Sequence, residues 1–155
     1  MQNYTKSQTR LAFVQYIFQY EFSDPKSKDS IEDFQKYFYN SNIAVIGEHK
    51  EFKLKFNKNF LSKLSENYIK NFNKLNVIKI LNKNIDINRK FENWDGVLKS
   101  IIFALISELQ ITDISKVKII FNDYINISKS LVSSKETKLL NAIIQKYLDE
   151  FKKSN

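Results

Sequence analysis

An all-α fold is what this sequence predicts, on three observations. Only two glycines and one proline occur in 155 residues, whereas sandwiches and barrels use such turn residues every few strands. Apolar side chains recur at three- and four-residue steps along most of the chain, the period of helices that bury one face. Residues 97–109, VLKSIIFALISEL, are apolar nearly all round, as a helix at the centre of a bundle must be. At this length one core is the default, so residues 1–155 are expected to form a single domain.

In chain order, residues 5–20 place Leu11, Val14, Ile17 and Phe18 on one helical face. Lys6 and Arg10, four apart, are expected to project together from the first turns as solvated charge. Asp24-Pro25 stops this helix, because the residue before proline is pushed out of helical geometry. Ser30 with Asp33 starts a short helix through about Tyr39, with Phe34, Tyr37 and Phe38 on its apolar side. Residues 40–50 read as a loop holding the single histidine, His49. Residues 51–81 carry Phe56, Phe60, Leu61, Leu64, Tyr68, Ile69, Phe72 and Leu75 at helical spacing and read as the longest helix, broken near 71–76. Residues 82–93 have too little periodicity for an element, and Trp94-Asp95-Gly96 leads into the central helix.

A helical hairpin follows over residues 113–146. Its first arm repeats Val117, Ile120, Phe121, Tyr124, Ile127 and Leu131, and its second Leu139, Leu140, Ile143, Ile144, Tyr147 and Leu148. Asp113 or Ser115 is expected to cap the first arm, and Ser133 with Glu136 forms a capping box at the hinge. Asn122, Asp123 and Asn141 interrupt the arms where alanine or leucine would cost less. Residues 151–155 are expected to fray as a basic tail.

The residues argue against catalysis. There is no cysteine, so neither disulfides nor thiolate metal sites are available. His49 has no nucleophile, carboxylate or second histidine at useful spacing. The glycines are too far apart for a phosphate loop, and adjacent carboxylates such as Asp149 and Glu150 point to different sides of a helix. No catalytic residue, metal or cofactor is expected. Neither a signal-like segment nor a membrane-length apolar stretch is present, so the protein is expected to be cytoplasmic.

Binding is the remaining class. A net charge of +8 favours polyanions, although the Lys, Asn and Ile skew of the whole composition explains a basic balance equally well. Lysines cluster at 53, 55 and 58 and around the hinge at 129, 135 and 138, with aromatics near several of them. Basic charge beside exposed rings suits single-stranded RNA; solvated lysines over core aromatics are the competing explanation.

Four segments then point to a family. Phe121-Asn122-Asp123-Tyr124-Ile125-Asn126-Ile127 and its continuation to Ser130 resemble the INEAIELAK segment of the NusB transcription antitermination family. Leu139-Leu140-Asn141-Ala142-Ile143-Ile144-Gln145-Lys146 resembles its FVNGVLDK segment. Leu98 to Leu105 is similar to the LRLAIYEL helix, and Arg10 to Phe18 to the R-x-x-A-x-Q-x-LY start, while residues 24–90 match in helical character alone.

The resemblance implies two small helical bundles packed into one domain and an RNA-binding antitermination factor that joins a NusE ribosomal protein on boxA-type RNA of ribosomal RNA leaders, within the RNA polymerase antitermination complex, as monomer or homodimer. It implies RNA contacts at Lys6, Arg10, Lys99, Lys135, Lys138 and Leu139, and partner contacts at Phe18, Trp94 and Asp95. Asn122, Asp123 and Asn141 become buried framework that hydrogen-bonds between helices. RNA affinity should fall steeply with salt and be lost in Arg10→Glu. Phe18 lacks the family tyrosine's hydroxyl, Ala142 replaces its glycine, and Asp123 its glutamate. The alternatives are an interaction module of this fold without RNA binding, and a domain related to those of ribosomal RNA cytosine methyltransferases, for which 155 residues leave no room for a cofactor-binding domain.

Overall fold

The apolar stretch 97–109 does become the centre of the molecule. In a computed structural model that describes residues 3–22, 44–45, 51–52, 56–85 and 90–154, the helices are α1 (Asn3–Phe22), α2 (Lys58–Asn71), α3 (Lys74–Asn82), α4 (Gly96–Leu109), α5 (Val117–Leu131) and α6 (Ser134–Ser154). Every residue of α4 from Ser100 to Glu108 is buried. Its neighbours are α1, α2, α5 and α6. Each of its fully buried leucines and isoleucines contributes roughly 1.5–3 kcal/mol relative to an exposed position, which is what an apolar surface on all sides gains from neighbours on all sides.

Helix α1 runs antiparallel to α4, since Arg10 meets Glu108 while Phe18 lies against Gly96. Helix α2 lies along α1 and starts beside it: the Asn57 amide donates to Thr9 Oγ1 at 2.9 Å. A chain of rings then links α1, α2 and α4, from Phe13 to Tyr68, Tyr68 to Phe72 at 4.8 Å and Phe72 to Phe103 at 5.3 Å. Asn67, a polar side chain in this interface, donates to the Ser107 carbonyl and thereby escapes the penalty of an unmet buried amide.

Local chemistry sets the boundaries. Asn57 caps α2 by accepting from Phe60 N, and Asn73 caps α3 by accepting from Asn76 N. The expected break near 71–76 therefore falls at Phe72–Asn73. The expected single long helix does not start at 51, because Glu51–Phe52 pairs antiparallel with Ala44–Val45 in a two-residue ladder. The longest described helix is α6, with 21 residues.

At the hinge, Glu136 N donates to Ser133 Oγ while Ser133 N donates to Glu136 Oε1, the reciprocal capping box expected there. Neither Asp113 nor Ser115 caps by its side chain; a 3-10 turn at Ile114–Lys116 leads into α5 instead. A second 3-10 turn, Phe91–Asn93, occupies part of the stretch that showed no periodicity. Residues 151–154 stay helical rather than fraying. The Asp24-Pro25 stop, the helix at 30–39, His49, Lys53 and Lys55 lie outside the described residues.

A candidate nucleic-acid groove at the N-terminal end of α4

Tracing the charged residues shows two assemblies, one at each end of α4. At the C-terminal end Arg10 is only 6% exposed, against the expectation that it projects into solvent with Lys6. Its Nε donates to both oxygens of Glu108 at 3.0 Å and its Nη2 to Oε2 at 2.8 Å. Nη1 donates to Asp123 Oδ2 at 2.6 Å. The Tyr124 hydroxyl donates to Glu108 Oε1 at 2.7 Å, and Ser7 Oγ to Asp123 Oδ1 at 2.6 Å. Phe60 covers the guanidinium, its ring centroid 5.5 Å away.

Burial works against the charged guanidinium, but Glu108 and then Asp123 outweigh it and hold the Arg10 pKa above its ordinary value. Burial, with the charge of Glu108 beside it, pushes the Tyr124 hydroxyl well up. The donors of Arg10 are thus committed to α4 and α5, which leaves Lys6 as the half-exposed cation on the first turns of α1. Of the three polar interruptions expected to be framework, Asp123 is; Asn122 and Asn141 are exposed and are not. Sequence reading missed Glu108, whose signal was a carboxylate ending an otherwise apolar helix.

The N-terminal end of α4 is built differently. The turn 94–96 and the hinge of the hairpin come together around a groove of about 510 Å³ lined by Trp94, Asp95, Lys135, Glu136, Lys138 and Leu139, among others. The first turns of α4 and α6 both border it. Both helices direct the positive ends of their dipoles there. Its two carboxylates are occupied: Asp95 Oδ2 accepts from Val97 N and Leu98 N, and Glu136 Oε1 from Ser133. Lys135 and Lys138 are exposed, with no ion pair among the described residues. A groove with an aromatic wall and unpaired cations favours an anionic, ring-bearing ligand.

On the other side of the same turn, Phe18 and Phe22 are 42% and 39% exposed. Their ring centroids are 5.7 Å apart. A Cβ at Gly96 would lie 3.2 Å from Phe18 Cε2, so the bare glycine is what lets the ring approach the backbone. Lys99 Nζ donates to the Glu92 carbonyl at 3.0 Å and sits 4.9 Å from the Phe22 centroid. Five of the nine expected site residues, Trp94, Asp95, Lys135, Lys138 and Leu139, therefore share the groove, while Phe18 and Lys99 form an adjoining patch. Lys6 and Arg10 stand roughly 18 Å away, the rise of the twelve residues from Gly96 to Glu108.

Among the described residues no helix is long and apolar enough to cross a membrane. The NusB family sequence profile matches residues 7–149. The chain is similar to the transcription antitermination protein NusB of Rickettsia felis (strain ATCC VR-1525 / URRWXCal2), 23% identical over 145 residues that cover 94% of this chain and 92% of that protein. The NusB proteins of Rickettsia massiliae (strain Mtu5) and Rickettsia conorii (strain ATCC VR-613 / Malish 7) are each 22% identical with the same coverage. The chain belongs to the NusB family and is a transcription antitermination factor, not an enzyme.

Proposed function

We propose that residues 1–155 act as one unit that binds boxA-type leader RNA of ribosomal RNA operons together with a NusE-type ribosomal protein, in the antitermination complex of RNA polymerase. The observation that carries this reading is the groove in which Trp94 lies with the unpaired Lys135 and Lys138 while Asp95 is tied to the first amides of α4 and Glu136 to Ser133. Bases stack on rings and phosphates pair with lysines in single-stranded RNA recognition. The exposed Phe18–Phe22 pair with Lys99 supports an adjoining protein contact, since aromatic anchors beside a cation are what interface centres favour.

The test is a gel shift with boxA RNA and a scrambled RNA, with and without NusE. The expected result is a boxA complex strengthened by NusE and weakened by added salt; equal binding of the scrambled RNA in the presence of NusE would overturn the reading. A second reading, an interaction module that has dropped RNA, is favoured by the burial of Arg10, which removes one cation from the α1 surface. Partner capture that survives ribonuclease, together with no RNA in the captured complex, would select it.

A further inference from the structure

The segment from Lys74 to Lys90 was not singled out by its sequence, yet it is strongly cationic. Helix α3 contains Lys74 and Lys79 and no acidic residue, and Lys83 and Lys90 follow it. The fold ties this segment to the groove. Asn82 Oδ1 accepts from Phe91 N at 3.0 Å, and Asn82 Nδ2 donates to Glu92 at 2.9 Å, so the end of α3 is fastened to the 3-10 turn that leads into Trp94. From the other side Lys146 Nζ on α6 reaches the Asn84 carbonyl at 3.4 Å. Lys83 is thus next to the point where α6 meets α3, and Lys90 lies at the start of the turn that forms the groove wall.

Lys83, Lys90 and Lys146 are all exposed, and none has an ion pair among the described residues. Glu92, two residues from Lys90, is engaged by the Asn82 amide. Along α6, Lys135, Lys138 and Lys146 follow one another on the exposed face, over roughly 16 Å at the helical rise. That distance is longer than one nucleotide and continuous with the groove.

We propose that Lys83, Lys90 and Lys146 form a phosphate-binding track that carries single-stranded RNA out of the Trp94–Lys138 groove, along α6, to the end of α3. The groove holds bases and the phosphates beside Lys135 and Lys138, and the track holds the backbone beyond them. Binding energy from the track is electrostatic and independent of sequence, and it is available only to an RNA long enough to leave the groove. This rests on the RNA-binding reading above.

The experiment compares two single-stranded RNAs of the same 5′ sequence, one of about 6 and one of about 15 nucleotides, a range that brackets single-strand site sizes. Affinity is read by fluorescence anisotropy over a salt series with NusE present. The triple variant Lys83→Gln, Lys90→Gln, Lys146→Gln is expected to bind the short RNA as wild type does. For the long RNA its log–log salt slope should fall by about 2, at about 0.7 per lost phosphate contact.

A control with equal charge loss removes Lys63 and Lys70 on α2 and Lys118 on α5, all exposed, and should leave both RNAs unaffected. If the control lowers the long-RNA slope as much as the track variant does, or if the track variant leaves it unchanged, the track is overturned while the groove reading stands. If wild type binds neither RNA, the RNA reading itself falls, and the track with it.

Discussion

The C-terminal end of α4 and its N-terminal end both gather charged side chains, yet one is closed and the other open. Around Glu108, every charge has a partner: Arg10 is held by two carboxylates, one of which also receives Tyr124 and the other Ser7. Around Trp94, Asp95 is tied to the first amides of α4 and Glu136 to Ser133, and Lys135 and Lys138 are left over. A charge surrounded by opposite charge and shielded from water fixes three helices together. A charge left in solvent beside a ring stays available to a ligand. Charge as such therefore says little about function in this chain; the accounting of partners says which charges hold the fold and which face outward.

That difference breaks most visibly at Glu108. Glu108→Ala leaves Arg10 buried with one carboxylate gone, and stability should drop by about 3–5 kcal/mol, read from urea denaturation; a loss below about 1 kcal/mol would mean the cluster does not hold α1 to α4. Arg10→Glu should fail in the same way, by unfolding, so loss of RNA binding in that variant carries no information about RNA contact. Asp123→Asn keeps the shape and removes the second ion pair, and should cost about 1–3 kcal/mol in the same assay.

The groove should give the opposite signature. Lys135→Gln with Lys138→Gln is expected to leave stability within about 0.5 kcal/mol of wild type, while the log–log salt slope of RNA binding falls by about 1.4. A large loss of stability would show that these lysines support the hinge. Ser133→Ala removes one half of the capping box and should lower stability by about 1 kcal/mol, the smallest of the expected losses of stability, measured as a shift in the denaturant midpoint.

Buried tyrosines add a dependence on alkaline pH. Burial, with Tyr20 adding, raises the Tyr16 pKa to about 12 from the ordinary 10.0, and Tyr124 is raised too, chiefly by burial and then by Glu108. A raised folded-state pKa means the stabilising contribution is full below the unfolded value and is lost as pH rises through the folded one. For Tyr16 that window runs from pH 10.0 to about 12. Denaturant midpoints should hold up to the lower limit and then fall. Tyr124→Phe should flatten part of that fall, and an unchanged alkaline profile in that variant would remove Tyr124 from the account.

How much was legible follows from range. Periodicity is a local property, so the central helix 97–109, the hairpin hinge with its Ser133–Glu136 box and the break at Phe72–Asn73 could all be read from neighbouring residues. The groove was half legible: Lys135 and Lys138 stood in a lysine cluster at the hinge, and Trp94 and Asp95 were named through a family resemblance, without any signal that about forty residues of chain fold back to bring them together. Arg10 was misread because its position on a helix face is consistent with both solvent and a partner, and the partners Glu108 and Asp123 lie 98 and 113 residues away. Asn122 and Asn141 were misread in the opposite sense, since a polar residue in an apolar run is buried or exposed according to its angle to a helix that the run itself does not specify.

By itself the sequence determined the all-helical class, the order of its described helices and the Ser133–Glu136 capping box, because hydrogen-bond capping and the 3.6-residue period act within a few residues. Only the tertiary structure decided which cations are free. Whether a lysine or arginine finds a carboxylate depends on contacts between segments a hundred residues apart, and that choice is what leaves Lys135 and Lys138 beside Trp94 open to solvent and Arg10 closed.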